Sequence, residues 1–134
     1  MVLAVAVALT LLSGCLSHNQ QRTLDVMNWD RHVHGLRVLS PHSQAQAKAQ
    51  AWAERLAREG RIYHSNLSDG ITVRWCGLAE NVGYGSSAES IQQAYMNSPN
   101  HRANILNNRW NGVGVGHAQS GGRVYTVQVF IQTC

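Results

Sequence analysis

The chain of 134 residues has no CxxC pair, no HExxH, no phosphate-cradling glycine loop, no internal repeat and no low-complexity tract. Those absences set aside zinc-ribbon, metalloprotease and nucleotide-binding chemistry of the familiar kinds. Charge is also scarce, at 13% of residues. The eleven cationic side chains, ten of them Arg, are scattered without a block of like charge or a basic stripe interleaved with aromatics. Nucleic acid is therefore not an expected partner, and the net charge of +4 with a pI near 9.3 implies only loose attraction to anionic wall or lipid surfaces.

No apolar run is long enough to span a bilayer. The longest, Val2 to Leu12, is relieved only by Thr10 and has the length of a signal-peptide core. No Lys or Arg precedes it, although such peptides normally begin with positive charge, as a start codon placed too far downstream would produce. Leu12-Ser13-Gly14-Cys15 follows and resembles the lipobox of bacterial lipoproteins, with Cys15 as the acylated residue; the alternative is an ordinary small-residue cleavage site. The expected organisation is a signal peptide over 1–14, a lipidated tether over 15–22, polar and aperiodic, and one globular domain over 23–134. The expected location is extracytoplasmic, anchored to a membrane through Cys15 or else freely secreted, and the expected state is monomeric.

With Cys15 acylated, Cys76 and Cys134 remain, an even number in a chain exported to an oxidising compartment. A Cys76–Cys134 bridge is predicted, two free thiols being the alternative. Closing so long a loop stabilises by roughly 3 to 4 kcal/mol in the chain-entropy picture.

Leu24, Met27 and Val33 recur at helical spacing from Thr23 to His34, with Gly35 as a stop. A stronger helix runs from about His42 to Glu59, where Ala45, Ala49, Trp52, Ala53 and Leu56 share a face and Gly60 ends it. Ile71 to Trp75 alternates and reads as a strand or extended segment. Ser86-Ser87-Ala88-Glu89 fits a capping box opening a helix through Tyr95, and Pro99 breaks it and begins another turn. After Asn111-Gly112 the period becomes two: Val113 and Val115 alternate with glycines, and Val124 to Gln132 carries two opposed sets, with Gly121-Gly122 as the hairpin turn. Helices first and strands last indicate an α+β layered domain.

Three segments place titratable residues beside turn-forming or small ones, where loops on a rigid scaffold tend to carry function. They are Tyr63-His64-Ser65-Asn66, Ala79-Glu80-Asn81-Val82-Gly83-Tyr84-Gly85, and Tyr95 to Leu106, which contains Asn97-Ser98-Pro99-Asn100-His101. In this order, and followed by Gly112 to Gly116 and Tyr125 to Phe130, they resemble the bacterial branch of the CAP superfamily of cysteine-rich secretory, antigen 5 and pathogenesis-related proteins. The resemblance covers about Thr23 to Cys134.

It implies a three-layer α-β-α sandwich with a central antiparallel sheet and a cleft holding two histidines and up to two acids. His64, Glu80 and His101 match three of those four places. The fourth falls at Asn97 or Ser98, neither of which supplies charge. Glu89 has a sufficient reason for its position in the capping box. Ala79, Tyr95 and Asn100 stand where Gly, Trp and Gly are usual.

Two converging imidazoles offer nitrogen ligands to zinc or another divalent metal, with Glu80 orienting a ring or serving as a third ligand; two or three ligands would hold an ion weakly, and no cofactor is required. The same residues also suit a hydrogen-bonded network that fixes loops. Asn81 and Asn104 are expected to bond backbone, and Gly83, Gly85, Gly112 and Gly116 to permit turns or close packing.

The functional expectation is a binding module for a small apolar ligand, lipid, envelope component or metal, with His64, Glu80, His101 and Asn97 lining the site. The alternative is a hydrolase using a histidine base oriented by Glu80, for which Ser65 is the nearest hydroxyl. A structural or adhesive surface protein is the third reading.

Overall fold

The computed structural model describes residues 15–134, so the signal-peptide assignment of 1–14 lies outside the described residues. Seven elements follow in order: α1 (His18–Val33), α2 (Ser43–Glu59), β1 (Trp75–Gly85), α3 (Ala88–Met96), α4 (Pro99–Ile105), β2 (Gly112–Ser120) and β3 (Arg123–Thr133). Among the described residues no helix is long and apolar enough to cross a membrane.

The three strands form one antiparallel sheet in the order β1-β3-β2. β3 is central and covered on both faces, which explains why its two alternating residue sets are both buried. Tyr125, Val127, Val129 and Ile131 join Ala45, Ala49, Ala53 and Leu56 of α2 in one core cluster. Val124 and Phe130 point the other way, into a second cluster with Leu24 and Met27 of α1, Ile91 and Tyr95 of α3 and Ile105 of α4. α2 thus covers one face and α1, α3 and α4 the other. The three-layer α-β-α sandwich expected from the sequence is the fold.

α2 lies unusually close to β2. A Cβ added at Gly114 would stand 2.0 Å from the Ala45 carbonyl oxygen, and one at Gly116 would stand 2.1 Å from that of Ala49. Alanines on the helix and glycines on the strand are therefore one device, allowing backbone to approach backbone. The close packing expected at Gly116 is present, and Gly114, for which the sequence carries no such expectation, is the tighter position. The β2–β3 turn is the expected two-residue glycine pair, with φ of 57° at Gly121 and 76° at Gly122.

Several local expectations shift. α1 begins at His18, five residues before Thr23: Ser17 caps it, its hydroxyl accepting from the Gln20 amide at 3.1 Å while the Gln20 side chain accepts from the Ser17 amide at 2.8 Å. Residues 18–22, expected as tether, are therefore helical. Of the alternating run 71–75 only Trp75 enters β1, while Ala79 to Gly85, expected as a loop for its glycines and polar residues, forms most of that strand. Tertiary pairing with β3 overrides weak local propensity there. The α3 capping box uses Ser87 and Ser90 rather than Ser86 and Glu89, which frees Glu89 to pair with Arg22 of α1.

Cys76 and Cys134 form the predicted disulfide, with Cα atoms 5.3 Å apart, across 58 positions of sequence. It joins the start of β1 to the residue following β3.

Candidate functional site

Among the described residues β1 is an outer strand, paired with β3 along one edge only. The cleft residues gather along its other edge from both layers. His64 and Ser65 come from the segment after α2, Glu80 from β1 itself, and His101 from α4, whose start is set by Pro99 at its first helical position.

Glu80 is buried and fully engaged. One carboxylate oxygen accepts from His64 Nδ1 at 2.8 Å and from the Ser65 amide at 2.9 Å, and the other accepts from Ser65 Oγ at 2.5 Å. This fixes the His64 ring with Nδ1 committed and Nε2 free, in an exposed position. Glu80 is thus an orienting group with no oxygen left unengaged. Ser65 donates to a carboxylate rather than to an imidazole, so the serine–histidine pair that a serine nucleophile needs does not form at Ser65.

The His101 ring packs on Tyr95, with centroids 5.1 Å apart. Burial, and then the nearby His64, hold its pKa below the ordinary 6.5. At neutral pH it therefore presents an uncharged ring. Tyr95 is itself buried, its hydroxyl bonded to the Thr126 carbonyl and hydroxyl at 3.0 and 2.9 Å. Burial raises its pKa far above the ordinary value, so it takes no part in proton exchange. Beside His101 opens a pocket of about 220 Å³ with walls from Ile62, Val82, Tyr84, Ile91, Ala94 and Tyr95, and with Ser98 at its rim.

Behind the cleft runs a line of side-chain amides that sequence reasoning missed. Asn104 donates to Asn81 at 2.9 Å, Asn81 to Gln128 at 3.0 Å, Gln128 to Gln92 at 2.7 Å, and Gln92 to Asp30 at 2.8 Å. Every donor points the same way, toward the Asp30 carboxylate, so each bond polarises the next. Asn81 also donates to the His101 carbonyl at 3.2 Å, tying the histidine-bearing helix to β1. The expected backbone bonding of Asn81 is present, whereas Asn104 uses its side chain on Asn81 and its carbonyl on the Trp110 indole. Nothing in the sequence marks Gln92 and Gln128 as buried, since glutamine is ordinarily a surface residue.

Asn97 is not brought to the cleft. It ends α3 and lines a different groove, between α3 and α1, together with Glu89. Cys15 is exposed and free. Among the described residues, no group of three or more His, Cys, Asp or Glu side chains is placed to hold a metal ion. The cleft's nitrogen donors, among those residues, are the two imidazoles.

An α-β-α sandwich with a histidine pair and a glutamate gathered at the free edge of its sheet defines an SCP-type domain. The chain belongs to the cysteine-rich secretory protein (CAP) family, whose model matches residues 24–134. It is 27% identical over 117 residues to the uncharacterized protein YkwD of Bacillus subtilis, covering 79% of this chain and 45% of that one. The chain thus spans less than half the length of that relative. Among solved structures, an outer surface protein of Borrelia burgdorferi superposes with a TM-score of 0.77 at 15% identity, covering 88% of this chain and 95% of that one. An extracellular SCP-domain protein of Bacillus anthracis superposes with a TM-score of 0.73 at 25% identity, covering 90% of this chain and 45% of that one.

Proposed function

We propose that the protein is an extracytoplasmic binding module, held at a membrane by a lipid on Cys15, whose edge-strand cleft takes a small ligand with an apolar body and a polar head against the histidines. The observation that carries this reading is the apolar pocket of about 220 Å³ opening directly beside His101. The outer-surface and extracellular settings of the Borrelia and Bacillus anthracis proteins support the location. So does the Cys76–Cys134 disulfide, a bond that persists in oxidising compartments.

A second reading, that the polar head is a divalent ion such as zinc, is favoured by the Glu80–His64 bond. A carboxylate on Nδ1 orients a ring to coordinate through Nε2. His64 and His101 would hold such an ion, which would supply an open Lewis-acid position for a ligand's polar group. Two nitrogen donors fit a weakly held ion and not a closed structural site.

The test is a pair of titrations into the purified protein, with zinc chloride by calorimetry and with 1-decanol by NMR. Decanol is expected to shift the signals of Ile91, Tyr95 and His101 saturably, and Ala94→Trp, which fills the pocket from an exposed position, to abolish the shift. Zinc binding is expected at pH 7.5, to be lost in a His64→Ala, His101→Ala double variant, and to weaken on acidification once His101, whose pKa burial holds below the ordinary 6.5, takes up a proton. Decanol shifts that persist in Ala94→Trp would sink the apolar-ligand reading, and zinc binding that survives the double variant would sink the metal reading.

A further inference from the structure

Away from the cleft, a groove of about 490 Å³ opens between α1 and α3. It lies on the other side of α3 from the histidine pocket: Ile91, Ala94 and Tyr95 face the pocket, while Glu89, Gln92 and Met96 face α1. Its apolar floor includes Val26, Met96 and Trp29, and Trp29 is 65% exposed, more than any other large hydrophobic residue described. An indole left open to that degree beside a groove of small-ligand size is a candidate contact for a partner.

The charge around the indole runs against the rest of the protein. The chain carries +4 overall, yet three of its seven acidic residues, Asp25, Asp30 and Glu89, line this groove against one cation, Arg22. Arg22 is already paired with Glu89. Asp25 and Asp30 accept only from neutral amides, those of Gln21 and Gln92, both at 2.8 Å, and among the described residues neither forms an ion pair. Asp25 stands four positions before Trp29 on α1, hence on the same face of the helix. The last donor of the buried amide line also ends on Asp30, which holds that carboxylate at the groove wall.

An aromatic face flanked by carboxylates that lack a counter-charge is complementary to a cation with apolar substituents, which gains cation–π attraction and charge pairing together. A carboxylate-headed lipid entering the same groove would meet unneutralised like charge. We propose that the α1–α3 groove is a second binding site, specific for a small organic cation with an apolar body, an alkyl- or arylammonium, with Trp29 as its face and Asp25 and Asp30 as its counter-charges.

Benzyltrimethylammonium chloride titrated into the ¹⁵N-labelled protein tests this. Saturable shifts are expected at the Trp29 indole, the Asp25 amide and the Gln92 side-chain amide, with the His64 and His101 signals unmoved. Trp29→Leu and Asp25→Asn, both exposed positions outside the core, are each expected to weaken binding about fivefold while amide dispersion elsewhere is unchanged. Neopentylbenzene, the uncharged carbon isostere, is expected to bind at least about tenfold more weakly. Equal binding of the isostere, shifts produced by sodium octanoate instead, a lysine-rich peptide that binds where the ammonium does not, or no shift at millimolar ammonium would each overturn the proposal. Because the shifts expected here lie at Trp29, Asp25 and Gln92 and those of the cleft at Ile91, Tyr95 and His101, failure here and failure at the cleft are separate results.

Discussion

Single atoms decide several features of this domain. The strand Gly112-Val113-Gly114-Val115-Gly116 shows valines to the α1 side and bare backbone to α2, and at Gly114 the helix carbonyl occupies the place of a side chain. Gly114→Ala cannot be absorbed by a flexible side chain, because the obstructing atoms are backbone. It is expected to destabilise by about 3 kcal/mol or more, measured by urea unfolding, whereas Gly121→Ala costs only the strain of a left-handed turn position, about 1 kcal/mol. Arg31 is the opposite case, a cation with no exposed surface. Its guanidinium donates to the carbonyls of Arg37, Ile105 and Asn107 at 2.7 to 2.9 Å and so fastens α1 to the end of α4, where helix carbonyls lack partners.

At the level of elements, the amide line from Asn104 to Asp30 connects α4, β1, β3, α3 and α1 in turn. Gln128, on the central strand, is its hinge: its oxygen accepts from Asn81 and its nitrogen donates to Gln92. Gln128→Leu keeps the volume but strands a donor on Asn81 and an acceptor on Gln92 in a region without solvent. The expected cost is about 3 kcal/mol in urea unfolding, well above that of an exposed Gln→Leu change. Since Asn81 also holds the His101 carbonyl, the same variant is expected to broaden the His101 NMR signals. Tyr95→Phe, which removes only the hydroxyl bonded to Thr126, is not expected to do so.

At the scale of the molecule, the described residues form a three-stranded sheet, and the disulfide ties the outer strand β1 to the end of the central β3. The loop from Cys76 to Cys134 spans 58 positions and takes in β1 from its second residue, α3, α4, β2 and β3, so in the unfolded chain the bridge constrains the segments that form all three strands. Replacing both cysteines by serine is expected to lower stability by about 4 kcal/mol, read from the guanidinium chloride midpoint with and without reductant. The cleft sits on the outer strand that this bridge tethers, so the loss is expected to reach His64 and Glu80 before the α2–β2 contact.

Much of this was legible in the chain itself. The helix of Ala45, Ala49, Ala53 and Leu56, the two opposed sets on β3, the Gly121-Gly122 turn and the disulfide follow from periodicities and pairings that belong to local spacing or to counting. His64, Glu80 and His101 were legible as family motifs, and the structure gathers them at one edge. Other features depend on residues far apart in sequence, and only packing could decide them. Ala79 to Gly85 is a strand because β3 pairs with it; Gln92 and Gln128 are buried because each supplies the other's missing bond; Glu89, left free by the Ser87–Ser90 capping box, meets Arg22 only because α1 packs beside α3. Local propensity is a property of a few neighbours, whereas the partner of a buried polar group is fixed only when distant segments have been brought into one interior.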